Sequence, residues 1–225
     1  MSDPLREAAE TMRAVRDRCV WTAQMTHREL VPYLVEESAE VVDAVEAGTA
    51  TDLREELGDL LWQVLFHAEI ASRSSEQPFD IDDVARGLTE KMIRRHPHVF
   101  AGETANTPEQ VLVLWNAAKA AEKRERRSVL DGVSAHMPAL AHAQKVLGRA
   151  RRVGVGPHRG DTPGVGADPA GGDIRSEADL GDALLALVAY AGEQGWDAER
   201  ALRERVRAVT ADVRRAERES GDLEG

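Results

Sequence analysis

The chain has 225 residues, of which 42% are hydrophobic, 31% are charged and 4% are aromatic. Its net charge of −11 disfavours non-specific binding to a phosphate backbone, which needs clustered Lys and Arg, and no apolar run approaches the roughly 20 residues of a membrane span. The single cysteine, Cys19, cannot form an internal disulfide, and the N-terminus lacks a signal-peptide core, so we expect a cytoplasmic protein.

An all-α bundle is predicted, because strand-favouring residues are sparse and apolar residues recur at helical spacing. The predicted helices run from about Pro4 to Arg18, Thr26 to Ala47, Thr51 to Arg73, Ile81 to Arg95, Pro108 to Arg126, Leu140 to Arg152, Glu177 to Glu193 and Asp197 to Arg218.

Several residues mark where these helices begin and end. Pro32 either kinks the second helix or marks its true start, and Gly48 ends it. Thr51 is expected to cap the third helix. Thr107 and Gln110 have the spacing of a capping box for the fifth. Residues 154–173 are dense in Gly and Pro, which predicts a flexible connector.

Acidic residues of the second helix lie where apolar ones are expected. At about 100° per residue, Glu37 falls within the stripe formed by Leu30, Leu34 and Val41, and Glu40 lies just beside that stripe. An unpaired carboxylate in apolar surroundings is costly, so Glu37 needs a cation.

The third helix repeats the pattern with Glu56 and Asp59, which are also three residues apart and precede a nearly all-apolar stretch. Two such pairs on adjacent antiparallel helices would bring four carboxylates together. Oxygen-only ligands suit Mg²⁺ or Mn²⁺. A di-iron site is disfavoured, because it needs Glu-x-x-His motifs. The alternative is that these acids are ordinary surface charges on Glu-rich helices.

Basic and aromatic residues follow in two later helices. Lys91, Arg94 and Arg95 end the fourth helix, where they complement the helix dipole and could also bind a polyphosphate. Trp115 and Lys119 share a face of the fifth helix. Trp115 could stack on a base or could pack in the core.

The chain resembles the MazG family of nucleoside triphosphate pyrophosphohydrolases, which are all-α proteins related to dimeric dUTPases. The family signature, E-E-x-x-E followed by E-x-x-D, matches Glu36-Glu37-Ser-Ala-Glu40 and Glu56-Leu-Gly-Asp59. Further matches are ELGDLLWQVLFHA, RRHPHVF, W-x-x-x-K-x-x-E and SVLDGV, and together they cover about residues 19–150.

The resemblance implies Mg²⁺-dependent hydrolysis of nucleoside triphosphates to monophosphate and pyrophosphate by a homodimer, for clearance of unwanted nucleotides. It assigns the metal to Glu37, Glu40, Glu56 and Asp59, and the orientation or deprotonation of the attacking water to Glu36. It also implies that Lys91, Arg94 and Arg95 neutralise the charge on the leaving pyrophosphate, and we predict Trp115 and Lys119 as further substrate-binding residues.

The segment around Trp21 departs from the family pattern, since Val20, Thr22 and Met25 replace the usual Pro, Asp and Gln. This departure leaves its part in substrate binding open. The tail resembles a second copy of the unit without its E-E-x-x-E helix, and its E-x-x-D equivalent is Asp179-Leu-Gly-Asp182. We therefore expect a tail without catalytic activity.

The expected organisation has four parts. Residues 1–127 form the MazG-like catalytic domain, 128–153 a connecting helix, 154–175 a linker and 176–225 the degenerate C-terminal unit. Two other functions stay open at this point. One is a non-catalytic nucleotide-binding or regulatory helical protein, and the other is a hydrolase restricted to one substrate such as dUTP.

Overall fold

The computed structural model describes residues 3–122, 128–155 and 174–221. These residues form α-helices and one 3-10 helix and contain no strand, which confirms the predicted all-α class. The helices are α1 Pro4–Arg18, α2 Val20–Gln24, α3 His27–Ala47, α4 Ala50–Ser72, α5 Ile81–Arg95, α6 Pro97–Phe100, α7 Pro108–Ala121, α8 Ala139–Ala150, the 3-10 turn Arg151–Val153, α9 Glu177–Glu193 and α10 Ala198–Gly221. No helix in this described part is long and apolar enough to cross a membrane.

Contacts between helices divide the chain into two compact units, Met1–Glu122 and Lys123–Gly225. In the first unit α3 and α4 form the main helix pair, and α1 packs on α4. Met12, Met25, Leu30, Leu65 and Phe66 form its buried core. Because α3 and α4 share this core, they hold a fixed register along their common length.

The turn between α3 and α4 differs from the sequence prediction at its cap. Thr49, not Thr51, caps α4, and it forms a capping box in which its side chain accepts from the Asp52 N–H while Asp52 accepts from the Thr49 N–H at 2.7 Å. Since Gly48 ends α3, only Gly48 and Thr49 connect the two helices, and Thr51 already lies in the first turn of α4.

The segment before α3 differs from the expectation, whereas the start of α3 near Thr26 agrees with it. Residues 19–27, expected to be a break, contain the short helix α2. Thr26 caps α3 through a capping box with Glu29, so the helix begins at His27 and runs through Pro32. At α7, Thr107 accepts from the Gln110 N–H as predicted, but the Gln110 side chain accepts from Asn106 rather than from Thr107.

Two of the departures around Trp21 have a structural explanation. Met25 is part of the core, and Thr22 is 5% exposed. The Thr22 hydroxyl donates to the backbone carbonyls of Val15 and Cys19, and its own carbonyl accepts from the Arg16 guanidinium. The hydrogen bonds of Thr22 therefore hold α2 against the end of α1.

The second unit contains α8, α9 and α10 around Leu147, Val188 and Ala189. Gln144 of α8 positions the start of α10, because its side chain donates to the Trp196 carbonyl at 2.7 Å and accepts from the Ala198 N–H at 3.2 Å. Most of the predicted linker, residues 156–173, lies outside the described residues.

Candidate metal centre

Three carboxylates from α3 and α4 meet at one place. Glu37 of α3 and Glu56 and Asp59 of α4 each present an oxygen, and these oxygens all lie within 4.8 Å of one another. Glu56 and Asp59 are three residues apart and so project from the same side of α4 towards Glu37. The convergence that the sequence predicted therefore holds for these three residues, which we call the carboxylate triad.

Glu40 lies beside the triad rather than within it. It lines an open groove of about 270 Å³ together with Asp43, Ala44, Ala47, Gly48, Asp52 and Glu56. It is also close enough to raise the pKa of both Glu37 and Glu56 by charge repulsion. Asp52 is occupied at the cap of α4, and Glu40 is the groove carboxylate that acts on both Glu37 and Glu56, so it extends the site into the groove.

Glu36 occupies a different position on α3. Its side chain is exposed, whereas Glu37 is half-buried, and Glu36 does not belong to the triad. The E-E pair therefore sends one carboxylate towards α4 and the other towards solvent.

The triad carries negative charge that no basic side chain of the described residues balances through an ion pair. Burial, followed by repulsion from Asp59 and Glu40, raises the pKa of Glu37. Burial and then repulsion from Glu40 and Asp59 raise the pKa of Glu56. Across residues 3–122, 128–155 and 174–221, no Lys or Arg forms an ion pair with Glu37, Glu56 or Asp59. A hard divalent cation fits such an oxygen-only, uncompensated set.

Gln63 supports Glu37 from one turn further along α4. It is 5% exposed, and its amide donates to a Glu37 carboxylate oxygen at 3.4 Å. This bond favours the ionised form and opposes the rise in the pKa of Glu37. Gln63 thus orients a site carboxylate, a role that the sequence analysis did not assign.

The basic and aromatic residues form a second cluster, on α5 and α7. Arg95 pairs with Glu122, with Nη2 2.7 Å from Oε2, and its guanidinium lies 5.2 Å from the centre of the Trp115 ring. The ring centres of His96 and the same indole are 5.0 Å apart, with the two rings in an edge-to-face arrangement. Trp115 is therefore half-buried against Arg95 and His96 and is not part of the hydrophobic core of the first unit.

The other basic residues differ in exposure. Arg94 is 55% exposed and lies 3.5 Å from Glu122, and Lys91 and Lys119 are half-buried. Glu122, the last residue of the W-x-x-x-K-x-x-E segment, was not among the predicted site residues, yet it binds both arginines. The sequence places Glu122 on one helical face with Trp115 and Lys119 but does not indicate its ion pairs, because its partners lie 27 and 28 residues away in the chain.

A histidine pair connects the start of α3 to α4. The Nδ1 atoms of His27 and His67 are 2.8 Å apart, and the two rings are stacked within 3° of parallel. Burial, followed by the charge of His27, lowers the pKa of His67. No local sequence pattern indicates this contact, because 40 residues separate the two histidines.

The tail does not rebuild the site. Ser176 caps α9 by accepting from the Asp179 N–H, and the Asp179 carboxylate accepts from the Arg175 N–H at 2.9 Å, just before the cap. Asp182 is exposed. In the described part of the second unit, no group of three metal-ligating side chains comes together.

Comparison with known proteins places this site in a family. The family model described as "MazG nucleotide pyrophosphohydrolase domain" matches residues 25–100, which contain α3, α4 and the whole triad. The nucleoside triphosphate pyrophosphohydrolase of Escherichia coli K12 is 36% identical over 214 residues, which is 89% of this chain and 81% of that protein. The chain belongs to the MazG family of nucleoside triphosphate pyrophosphohydrolases, which are hydrolases.

Two further relatives show how far the likeness extends. An uncharacterised protein of Streptomyces cacaoi is 43% identical over 95% of this chain and 82% of its own length. The nucleoside triphosphate pyrophosphohydrolase of Mycobacterium tuberculosis is 49% identical over 68% of this chain, but only 47% of that protein is covered. A MazG-related protein of Thermotoga maritima, solved by crystallography, has a TM-score of 0.44 and 25% identity, covering 51% of this chain and 97% of that one.

Proposed function

We propose that the chain hydrolyses nucleoside triphosphates to nucleoside monophosphate and pyrophosphate, with Mg²⁺ as the metal and Mn²⁺ as a substitute. The observation that carries the proposal is the triad of Glu37, Glu56 and Asp59, whose charge no basic side chain of the described residues balances. Glu40 at the groove would complete the metal ligands.

Mg²⁺ held by these carboxylates would neutralise the negative charge of the triphosphate oxygens. In the proposed reaction, water attacks the α-phosphorus and the bond from this atom to the α–β bridging oxygen breaks. Pyrophosphate leaves with the electron pair of that bond, and the proton of the water passes to a carboxylate. Glu36, exposed next to Glu37, is our choice for orienting or deprotonating the water.

We assign charge neutralisation on the leaving pyrophosphate to the basic cluster of α5 and α7, through Lys91, Arg94, Arg95 and Lys119. Arg94 is the most accessible of these to a phosphate, since its side chain is 55% exposed. Arg95 is 11% exposed and already paired with Glu122, so it would act on phosphate from a fixed position. Trp115 would contribute to base binding only through the free part of its ring.

We also propose that the first unit works as a homodimer in the cytoplasm and removes unwanted nucleotides from the precursor pool. The dimer is supported by large apolar side chains that remain open on α3 and α4, the helices of the site. Val31 and Val35 on α3 are 50% and 62% exposed, and Leu57 and Val64 on α4 are 50% and 40% exposed.

The test is a product analysis with a matched variant. Nucleoside and deoxynucleoside triphosphates are incubated in H₂¹⁸O with Mg²⁺ or with EDTA, and the products are separated and weighed by mass spectrometry. We expect ¹⁸O in the monophosphate, unlabelled pyrophosphate and no turnover in EDTA. Release of diphosphate and orthophosphate would contradict the proposal.

Glu56→Gln should lower kcat/KM by at least about 100-fold, because the variant loses a ligand of the charge-stabilising ion. Glu55→Gln is the control, since it removes an exposed carboxylate from the same turn of α4. Tight nucleotide binding by wild type, without metal-dependent turnover, would instead establish the non-catalytic alternative.

A further inference from the structure

An apolar stripe on α10 has no partner among the described residues. Leu202, Val206, Val209 and Val213 are 53%, 55%, 58% and 52% exposed, and they line one continuous surface. Their spacings of four, three and four residues are those of the a and d positions of a coiled coil. Single exposed apolar residues are ordinary, but four in a heptad seam indicate a helix-binding surface.

The packing of α10 within its own unit leaves this seam open. The half-buried residues of α10 are 198, 199, 203, 207 and 208, of which 199, 203 and 207 share one side, and α10 packs on α8 and α9. At 100° per residue, that side lies about a quarter of a turn from the seam. From Val209 to Ser220 the helix is exposed on every side.

The stretches of the chain outside the described residues hold too little apolar side chain to cover the seam. Residues 1–2, 123–127, 156–173 and 222–225 contain only Met1, Val165 and Leu223 as large apolar residues, and these are far apart in the sequence. A second helix with the same heptad pattern would fit, and a second copy of α10 provides one.

We propose that α10 binds the α10 of a second copy of this chain in antiparallel orientation. The register that matches all four seam residues sets Leu202 against the partner's Val213 and Val206 against the partner's Val209. In that register Arg205 faces the partner's Asp212, twice per pair, in the flanking positions that set the orientation of coiled coils.

The charges disfavour the parallel alternative. A parallel pair in register would set Asp212 beside the partner's Glu217, and it would set Arg205 beside the uncharged Thr210. It would also align the two helix dipoles. Exposed ion pairs stabilise weakly, so here they determine the orientation, while the apolar seam supplies the contact. The proposal is independent of the proposed hydrolysis.

Cross-linking of the full chain tests the register, and it remains decisive if the first unit also dimerises. In a Cys19→Ser background, one chain carries Leu202→Cys and a second, tagged chain carries Val213→Cys. Mixed and oxidised, they should form mainly the mixed disulfide, at least about tenfold above a control pair, Glu204→Cys with Ala211→Cys. In an antiparallel pair, facing residues have residue numbers with a constant sum, and the control pair has the same sum as Leu202 and Val213. The control positions therefore belong to the same register but lie on the opposite side of α10.

Charge reversal provides a second readout. Arg205→Asp and Asp212→Arg should each lower the cross-linking yield alone, and a mixture of one chain of each kind should restore it. The changed residues of α10 are all exposed, and circular dichroism checks that each variant keeps its helices. Self-linking of each single-cysteine chain would establish a parallel pair and overturn the proposal. Absence of cross-linking together with binding to anionic phospholipid vesicles would overturn it in favour of a membrane surface.

Discussion

Arg95, in the last turn of α5, and Glu122, just after α7, form an ion pair in which both Nε and Nη2 of the arginine donate to the carboxylate. Their side chains are only 11% and 19% exposed, and the arginine also lies over the Trp115 ring. This pair connects the helix that carries the basic cluster to the helix that carries the aromatic residue. It therefore holds the proposed phosphate-binding side chains in place.

Glu122→Gln should lower the melting temperature at neutral pH, because the variant keeps the shape of the side chain but loses its charge. The hydrogen bonds and charge of Arg95 hold the pKa of Glu122 below its usual range. A carboxyl with a lowered folded-state pKa stabilises the fold above its unfolded pKa, about 4.3, and loses this effect as the pH falls through the lowered value. Thermal melts of wild type and variant should thus converge below about pH 4. A constant difference down to pH 2.5 would contradict this account, and the exposed Glu103→Gln is the control.

Glu37→Gln should raise the melting temperature in EDTA at pH 7.5, because it removes a charge that burial and two neighbouring carboxylates disfavour. The folded-state pKa of Glu37 is raised. The stabilising contribution of the Glu37 carboxyl is therefore fully present below the ordinary pKa of a carboxyl group, and it is lost as the pH rises through the raised pKa. Added Mg²⁺ should raise the melting temperature of the wild type above that of Glu37→Gln, since a ligand that binds only the folded state stabilises it.

The measurement for Glu37 is a set of thermal melts at pH 5 to 8, each in EDTA and in Mg²⁺ at a concentration 5 to 10 times its Kd. Mg²⁺ at that concentration should stabilise the folded wild type by about 1 kcal/mol. Glu55→Gln again serves as the control. A variant that is less stable in EDTA, or that keeps the whole Mg²⁺-induced shift, would remove Glu37 from the metal site.

Asp182→Asn should leave kcat/KM within about twofold of wild type. The residue is exposed, and the carboxylate of its companion Asp179 is engaged by the Arg175 N–H, so the two carboxylates do not act together on a metal. Asp59→Asn is the matched comparison, because it changes the equivalent residue of the complete signature, and it should cost at least about 100-fold. A large loss in Asp182→Asn would mean that the second unit takes part in the reaction.

Gly48→Ala should lower the free energy of unfolding by about 1 to 3 kcal/mol, because the α3–α4 turn has no space for a methyl group. A Cβ at this position would lie 2.8 Å from the Ala44 Cα and 2.9 Å from the Ala44 carbonyl oxygen. Gly87→Ala in α5 is the control: a Cβ there meets nothing within 4 Å, and a mid-helix Gly→Ala change should stabilise by about 0.5 to 1 kcal/mol. Urea denaturation measures the free energy of unfolding of both variants. A Gly48→Ala variant that is stabilised as much as Gly87→Ala would show that the turn relaxes freely.

Sequence patterns were sufficient for the helices that carry strong local signals. The ends of α1 at Pro4 and Arg18, and of α5 at Ile81 and Arg95, agree with the prediction, because proline, acidic first turns and basic last turns act within a few residues. The Thr49 cap was missed because Thr49 and Thr51 are both followed by acidic residues, and the choice between them depends on where α3 ends. The short helix α2 was missed because it is stabilised by burial of Thr22 against α1 rather than by its own sequence.

The sequence by itself determined that four acidic residues recur at E-x-x-E and E-x-x-D spacing on two amphipathic helices, since helical periodicity fixes which side chains share a face. It also determined the family, through motifs whose order is written in the chain. Only the tertiary structure decided that Glu37, Glu56 and Asp59 form the triad while Glu40 lies at its edge and Glu36 faces solvent. It likewise decided that Arg95 is bound by Glu122 and that His27 meets His67. The reason is that the register between packed helices depends on how their side chains interlock, and this information is absent from the periodicity of either helix alone.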